Sequence, residues 1–381
     1  MKRIGLFVIG STLMMLLMGT VYSYSVFRVF IENYYEINAT LSGLPYMLAL
    51  FFYAFSMMIS GRILTHDNTL KIALIGSFMI GSGWLLSGLS KHFIGLVIGY
   101  GVISGSGVGL VYGIPLFIVQ HANLKRAGFI TGIILLGFGL SPLITAPIAR
   151  LFLTSFGLHQ TFNSFGVIFI ILLSIFSFIY KPKTKSFEKK SIETVRIDKA
   201  FIYLYSLFLL ATTIGLMMIG LSYPIGAINY GFEDHLVTLS VSFFALSNGL
   251  ARPLFGYLMD RLGFHKTAYI SYGLILTAAL LAVFNQGQSL GLFMISFSLF
   301  WFNLGAWLAI APIAIKQRYS LSSYARRYGL LFTAYGFGAI LGVSISGLLL
   351  DSLGSTQYVY YMIIVVLLMG IFMIKKIPNQ L

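Results

Sequence analysis

The sequence predicts an all-α polytopic membrane protein, with twelve transmembrane helices in two six-helix pseudo-symmetric bundles. Composition is the first ground: 58% hydrophobic and 9% charged residues, with mean hydropathy +0.91, exceed what the core of a soluble 381-residue chain absorbs. The second is a series of about twelve apolar runs, each near the ~20 residues that cross a ~30 Å hydrocarbon core as helix. The third is a weak internal repeat, with markers recurring about 200 residues apart.

In chain order the runs cover 4–29, 41–60, 71–90, 94–119, 127–149, 160–180, 200–224, 237–258, 267–285, 289–315, 328–350 and 357–374. The first is too long for the apolar stretch of a secretory signal and is followed by no small-residue cleavage pattern, so it is expected to be retained. In the fourth, Gly101, Gly105, Gly109 and Gly113 recur every four residues, which puts them on one face and admits a neighbouring backbone. Gly132, Gly137 and Gly139 in the fifth run, and Gly336, Gly338 and Gly342 in the eleventh, predict helices packed inside the bundle, with faces suited to sliding or to static packing. The only long polar segment, 181–199, divides the chain into a first bundle, 1–180, and a second, 200–381.

Alternating crossings sort the charges. The junctions on the side of both termini hold Lys2, Arg3, Arg62, Lys71, Lys125, Arg126, the basic linker, Arg261, Lys266, Lys316, Arg318, Arg326, Arg327, Lys375 and Lys376; the other side offers Arg28, Lys91 and Arg150. The positive-inside rule therefore puts both termini in the cytoplasm. The net charge of +15 is spread over short loops beside membrane spans, which suits anionic lipid and supplies no nucleic-acid motif. With no cysteine, disulfides and thiolate metal sites are excluded.

No enzyme constellation is present. The six histidines lie in loops or at span ends, and the ten carboxylates are peripheral: none sits at the centre of a span. An intramembrane Asp, Glu or His relay for proton coupling is thus missing, which favours uniport or exchange. Arg252, in Ser-Asn-Gly-Leu-Ala-Arg-Pro, is the exception among the charges. A guanidinium at bilayer depth costs roughly 2.5–3.5 kcal/mol on insertion scales. Either an anion meets it, or it snorkels to the interface or pairs with a carbonyl. Tyr22, Tyr24, Tyr112, Tyr223, Phe297, Trp301 and Tyr335 are the aromatic residues placed to line a small cavity around it; Phe297 and Trp301, four apart, share a face.

The repeat markers pair Gly61-Arg-Ile-Leu-Thr-His-Asp with Gly256-Tyr-Leu-Met-Asp-Arg-Leu-Gly-Phe-His-Lys266, Pro115 with Pro312, Arg126-Ala-Gly128 with Arg327-Tyr-Gly329, and Gly19-Thr-Val-Tyr22 with Gly220-Leu-Ser-Tyr223. Gly256, Asp260, Arg261, Gly263 and Lys266 together resemble the loop motif of the major facilitator superfamily, where it acts as a conformational latch; the first-half copy is degraded. Gly19-Thr-Val-Tyr-Ser-Tyr-Ser-Val-Phe27, Arg126-Ala-Gly-Phe-Ile-Thr-Gly, Asn248-Gly-Leu-Ala-Arg-Pro and Tyr328-Gly-Leu-Leu-Phe-Thr-Ala-Tyr-Gly336 resemble the oxalate/formate antiporter family, and Ala251-Arg252-Pro253 the related monocarboxylate transporters.

The resemblance implies the major facilitator fold, alternating access, and a substrate carboxylate bound by Arg252, with Tyr22 beside it. Two departures qualify it. Oxalate carriers place a Lys where this chain has Tyr335, and proton-linked monocarboxylate carriers an Asp where it has Asn248. One buried cation suits a monoanion such as formate, lactate or pyruvate. The expectation is an antiporter or other transporter of small organic anions, working as a monomer in the plasma membrane without cofactor or metal. The competing expectations are an exporter of drugs or other metabolites in which Arg252 is structural, and a non-transporting sensor or assembly protein.

Overall fold

The computed structural model describes residues 2–37, 39–122, 126–182 and 197–378. Residues 183–196 of the expected linker and Lys125 lie outside the described residues, as do the side chains of Lys2, Arg3, Asp234 and Asp351. Every regular element among the described residues is helical.

Among the described residues ten helices are long and apolar enough to cross a membrane. Two of them, α8 (Ala127–Ser177) and α10 (Asp234–Asn285), have 51 and 52 residues. At ~1.5 Å per residue each would run to about 76 Å, far beyond a ~30 Å hydrocarbon core. Each breaks at a glycine with positive φ, Gly157 (φ 77°, ψ 178°) and Gly263 (φ 73°, ψ −179°). A side chain at that φ is strained, so only glycine turns the backbone there at low cost. Each broken helix counts as two crossings, which makes twelve.

The remaining elements follow the apolar runs, with local departures. The first run is divided into α1 (Lys2–Met18), a 3-10 turn over Gly19–Ser23 and α2 (Tyr24–Tyr35), and the turn residues are all buried. After the short α3 (Ala39–Ser42) come α4 (Leu44–Ile63) and α5 (Thr69–Leu89), joined by a turn in which Thr65 N donates to Asn68 Oδ1 at 2.7 Å. The fourth run is α6 (Phe93–Leu96), a π-helical stretch over Val97–Ser104, and α7 (Gly105–His121). Asp198 caps α9 (Lys199–Tyr223) by accepting from Phe201 N at 2.8 Å. The chain closes with α11 (Leu290–Arg318), α12 (Tyr324–Leu353) and α13 (Gln357–Ile374).

By contact the chain forms two compact units, and neither is one continuous stretch. Unit 1 comprises Met1–Lys125, Leu140–Val195 and Tyr319–Gly336; unit 2 comprises Arg126–Gly139, Arg196–Arg318 and Phe337–Leu381. Unit 1 is built on glycine contacts. Gly105 and Gly109 of α7 press on the Ala49 and Tyr53 carbonyls of α4, while Gly107 meets Gly76 of α5. The predicted stripe is thus the α4 face of α7, and Gly107 opens a second close face. Around Trp84, the rings of Phe27, Tyr100, Phe162, Phe165 and Phe169 fill the rest of the core.

In unit 2, Gly132 packs on the backbone of Arg252 and Pro253, and Gly338 and Gly342 pack on α9 at Thr212, Thr213 and Met217. The expected interior packing of the fifth and eleventh runs is observed at these glycines. A Cβ at Gly109 would strike the Tyr53 carbonyl, and a helical carbonyl cannot swing aside. Overpacking costs about 1–3 kcal/mol, against a helix-propensity gain of about 0.5–1 kcal/mol for replacing glycine. The clash wins. Gly109→Ala is expected to lower the thermal midpoint of the detergent-solubilised protein.

Candidate functional site

Arg252 lies in α10 and is 0% exposed. Its Nη1 donates to the Leu135 carbonyl at 2.8 Å and its Nη2 to Asn248 Oδ1 at 3.0 Å, while the Phe138 ring lies 5.6 Å from the guanidinium carbon. Nε is buried without a hydrogen-bond partner among the described residues. Glycine makes this approach possible. A Cβ at Gly139 would meet Asn248 Oδ1 and Arg252 Nε, and one at Gly132 would meet the Arg252 carbonyl. The small residues of the fifth run therefore let α8 come down over the guanidinium.

The contacts continue through unit 2. Asn248 Nδ2 donates to the Trp301 carbonyl at 2.8 Å, Trp301 Nε1 to Ser222 Oγ at 2.9 Å, and Ser222 Oγ to the Met218 carbonyl at 2.7 Å. Phe244 stands 5.8 Å from Phe297 and 6.0 Å from Trp301, so those two do share a face. Asn248 thus ties Arg252 to α11 by hydrogen bonds alone, where a carboxylate would have neutralised it. Among the described residues no carboxylate pairs with Arg252. A buried cation whose partners are a carbonyl, an amide and a ring is only partly compensated, because its desolvation cost is several kcal/mol.

The other predicted aromatic residues divide between the units. In unit 1 the hydroxyls of Tyr22 and Tyr335 are 2.5 Å apart. Tyr53 lies 5.7 Å from Tyr335 and 5.2 Å from Tyr112, and Phe332 stacks on Tyr335 at 5.1 Å. Tyr22, Tyr112 and Tyr335 therefore belong to one buried cluster. Tyr24 faces another group, donating to the Ser42 carbonyl at 2.7 Å and stacking with Tyr46 at 5.7 Å. The Tyr46 hydroxyl is buried with no hydrogen-bond partner among the described residues. Tyr223, in unit 2, is 42% exposed at the end of α9, whereas its neighbour Ser222 turns inward to receive Trp301.

Sequence reasoning missed Tyr46, Tyr53, Phe332 and Ser222. A signal existed for three of them. Tyr46 and Tyr53 are seven apart, hence on one face, and Tyr324, Tyr328, Phe332 and Tyr335 follow the spacing of a helical stripe.

The loop-motif residues take separate roles. Asp260 accepts from Gly128 N at 3.2 Å and Phe129 N at 3.0 Å, satisfying orphan donors in the first turn of α8. Gly256 admits the Gly128 backbone, and Gly263 makes the turn. Arg261 stands over the Tyr257 ring at 5.5 Å and Lys266 is exposed; neither pairs with Asp260. Removing a cap of this kind costs about 1 kcal/mol. Asp260→Ala is expected to lower the thermal midpoint by a few degrees, with Asp260→Asn intermediate because its amide oxygen still accepts.

The family model described as Major Facilitator Superfamily matches residues 7–233 and 200–379. Among curated proteins, the oxalate:formate antiporter of Oxalobacter formigenes is 26% identical over 292 residues, covering 74% of this chain and 69% of its own length. Human monocarboxylate transporter 10 is 25% identical over 323 residues, covering 77% of this chain and 61% of its own length. The solved structure of the human organic anion transporter MFSD10 superposes with a TM-score of 0.78 at 13% identity, covering 98% of this chain and 99% of that one. At that identity the likeness shows the fold alone.

Proposed function

Because the chain belongs to the Major Facilitator Superfamily, a family of transporters, we propose that it carries small organic anions, monocarboxylates by preference, by alternating access and exchange. The observation that carries this reading is Arg252: a wholly buried guanidinium held only by neutral partners, with Nε unmet. A carboxylate offers what those partners lack, since charge-assisted bidentate bonds are about twice as strong as neutral ones. Entry of the anion would displace the Leu135 carbonyl and free α8 from Arg252. An empty carrier leaves that charge uncompensated, which favours crossing in the loaded form and hence exchange. The names of the oxalate:formate antiporter and monocarboxylate transporter 10 support the substrate class.

In this reading the halves 1–180 and 200–381, joined by 181–199, are the moving bodies, both termini are cytoplasmic, and the protein is a plasma-membrane monomer. Asp260 of α10, holding the first turn of α8 by its backbone N–H groups, is the latch, with Gly256 and Gly263 shaping it. In unit 1, Tyr22, Tyr335, Tyr112 and the unmatched hydroxyl of Tyr46 are the candidate donors to a substrate, and in unit 2, Phe297 and Trp301 are the candidate apolar contacts.

A second reading is favoured by the same hydrogen bonds: Arg252 is a structural clamp between α8 and α10, in an exporter of another ligand type. Counterflow separates the two. Proteoliposomes loaded with unlabelled formate, lactate, pyruvate or oxalate are expected to accumulate the labelled anion; no counterflow with any of them would leave the second reading.

A further inference from the structure

At the end of unit 2 that carries the Gly263 turn, the starts of α9 and of the second part of α10 meet the ends of α11 and α13 around a cleft of about 470 Å³. Its cationic members are Lys266 and Arg318, with the His265 imidazole beside them. Among the described residues Asp260 is the one carboxylate on the lining, and its oxygens are taken by the first turn of α8. Among the described residues neither Lys266 nor Arg318 pairs with a carboxylate. Leu204, Met259 and Phe264 give the lining its apolar surface, and Leu262, also on the lining, is 40% exposed.

The chain's last described residues close one side. His265 Nε2 lies 2.8 Å from the Ile377 carbonyl, so that nitrogen carries its proton, and Arg318 Nη1 donates to the Pro378 carbonyl at 2.9 Å. These bonds hold the guanidinium fork and the imidazole in place at the rim. The result is one cleft lined by both cationic and apolar side chains at the end of membrane-spanning helices.

We propose that this cleft binds the phosphate headgroup of an anionic phospholipid. The phosphate oxygens meet the Lys266 ammonium and the Arg318 fork, a geometry that guanidinium matches well. The glycerol and first acyl carbons lie on Leu204, Met259 and Phe264. A free phosphate would use the same cations and waste the apolar lining, which is why the lipid is the better occupant. Juxtamembrane basic residues each attract anionic lipid measurably, and a cleft between helix ends makes the attraction specific. This inference is independent of which solute is carried.

The test uses the purified full-length protein in detergent micelles doped with phosphatidylglycerol, with phosphatidylcholine, or with inorganic phosphate. Lys266 is exposed, so its acylation by an amine-reactive reagent can be followed by peptide mass spectrometry in the unaltered protein. Phosphatidylglycerol is expected to slow labelling of Lys266 at least about fivefold relative to phosphatidylcholine while leaving Lys91 unchanged. Equal labelling in the two lipids overturns the proposal; protection by inorganic phosphate at lower concentration than by phosphatidylglycerol overturns the lipid as occupant. In native mass spectrometry, Lys266→Gln with Arg318→Gln is expected to abolish the preference for phosphatidylglycerol, and a preference surviving in the folded double variant also sinks it.

Discussion

Arg252→Lys is expected to leave the protein folded and to reduce anion counterflow by a factor of about 30 to 5,000, the equivalent of the 2–5 kcal/mol lost when one partner of a buried charged hydrogen bond is truncated. Lysine keeps the charge but not the fork that reaches the Leu135 carbonyl and Asn248 Oδ1 together. Arg252→Ala removes the charge and is expected to abolish counterflow. The two readings part on stability. If Arg252 binds the anion, the alanine variant melts near the parent and loses only the thermal stabilisation by ligand. If Arg252 is a structural clamp, losing its bonds to the Leu135 carbonyl and Asn248 Oδ1 outweighs relief of the buried charge, and the variant melts lower and still transports its own ligand.

Tyr335→Lys is the second large change. The side chain is 0% exposed and its hydroxyl meets that of Tyr22. A cation there costs about 2.5–3.5 kcal/mol on insertion scales unless an anion joins it. The variant is expected to melt well below the parent, and oxalate, with two carboxylates, to restore more of the lost stability than formate does. Tyr335→Phe removes one hydrogen bond and is expected to cost only about 1 kcal/mol. Equal rescue of Tyr335→Lys by formate and oxalate would reject the view that a second cation sets the preference for dianions.

Part of the candidate site is legible in the sequence. Arg252 stands out because a charge in an apolar run has few bland explanations, and Gly132 and Gly139 because small residues at helical spacing imply close backbones. The partners were not readable. Leu135 serves through its carbonyl, which every residue carries, so no sequence pattern marks it. Tyr223 and Ser222 look interchangeable along the chain, yet one is 42% exposed and the other receives the Trp301 indole. Helix rotation decided between them.

By itself the sequence determined the solvent and the segments: apolar runs of membrane length, basic junctions, and glycines where the backbone turns back at Gly157 and Gly263. These are local properties, set by hydropathy and by the steric cost of positive φ. Tertiary structure alone decided which helix each glycine face meets and what Arg252 touches. It also sent Asp260 to the first turn of α8 rather than to Arg261 or Lys266 next to it in sequence. Those outcomes depend on the rotation and approach of helices separated by tens to more than a hundred residues, where burial makes each buried polar group seek whatever partner packing brings within reach.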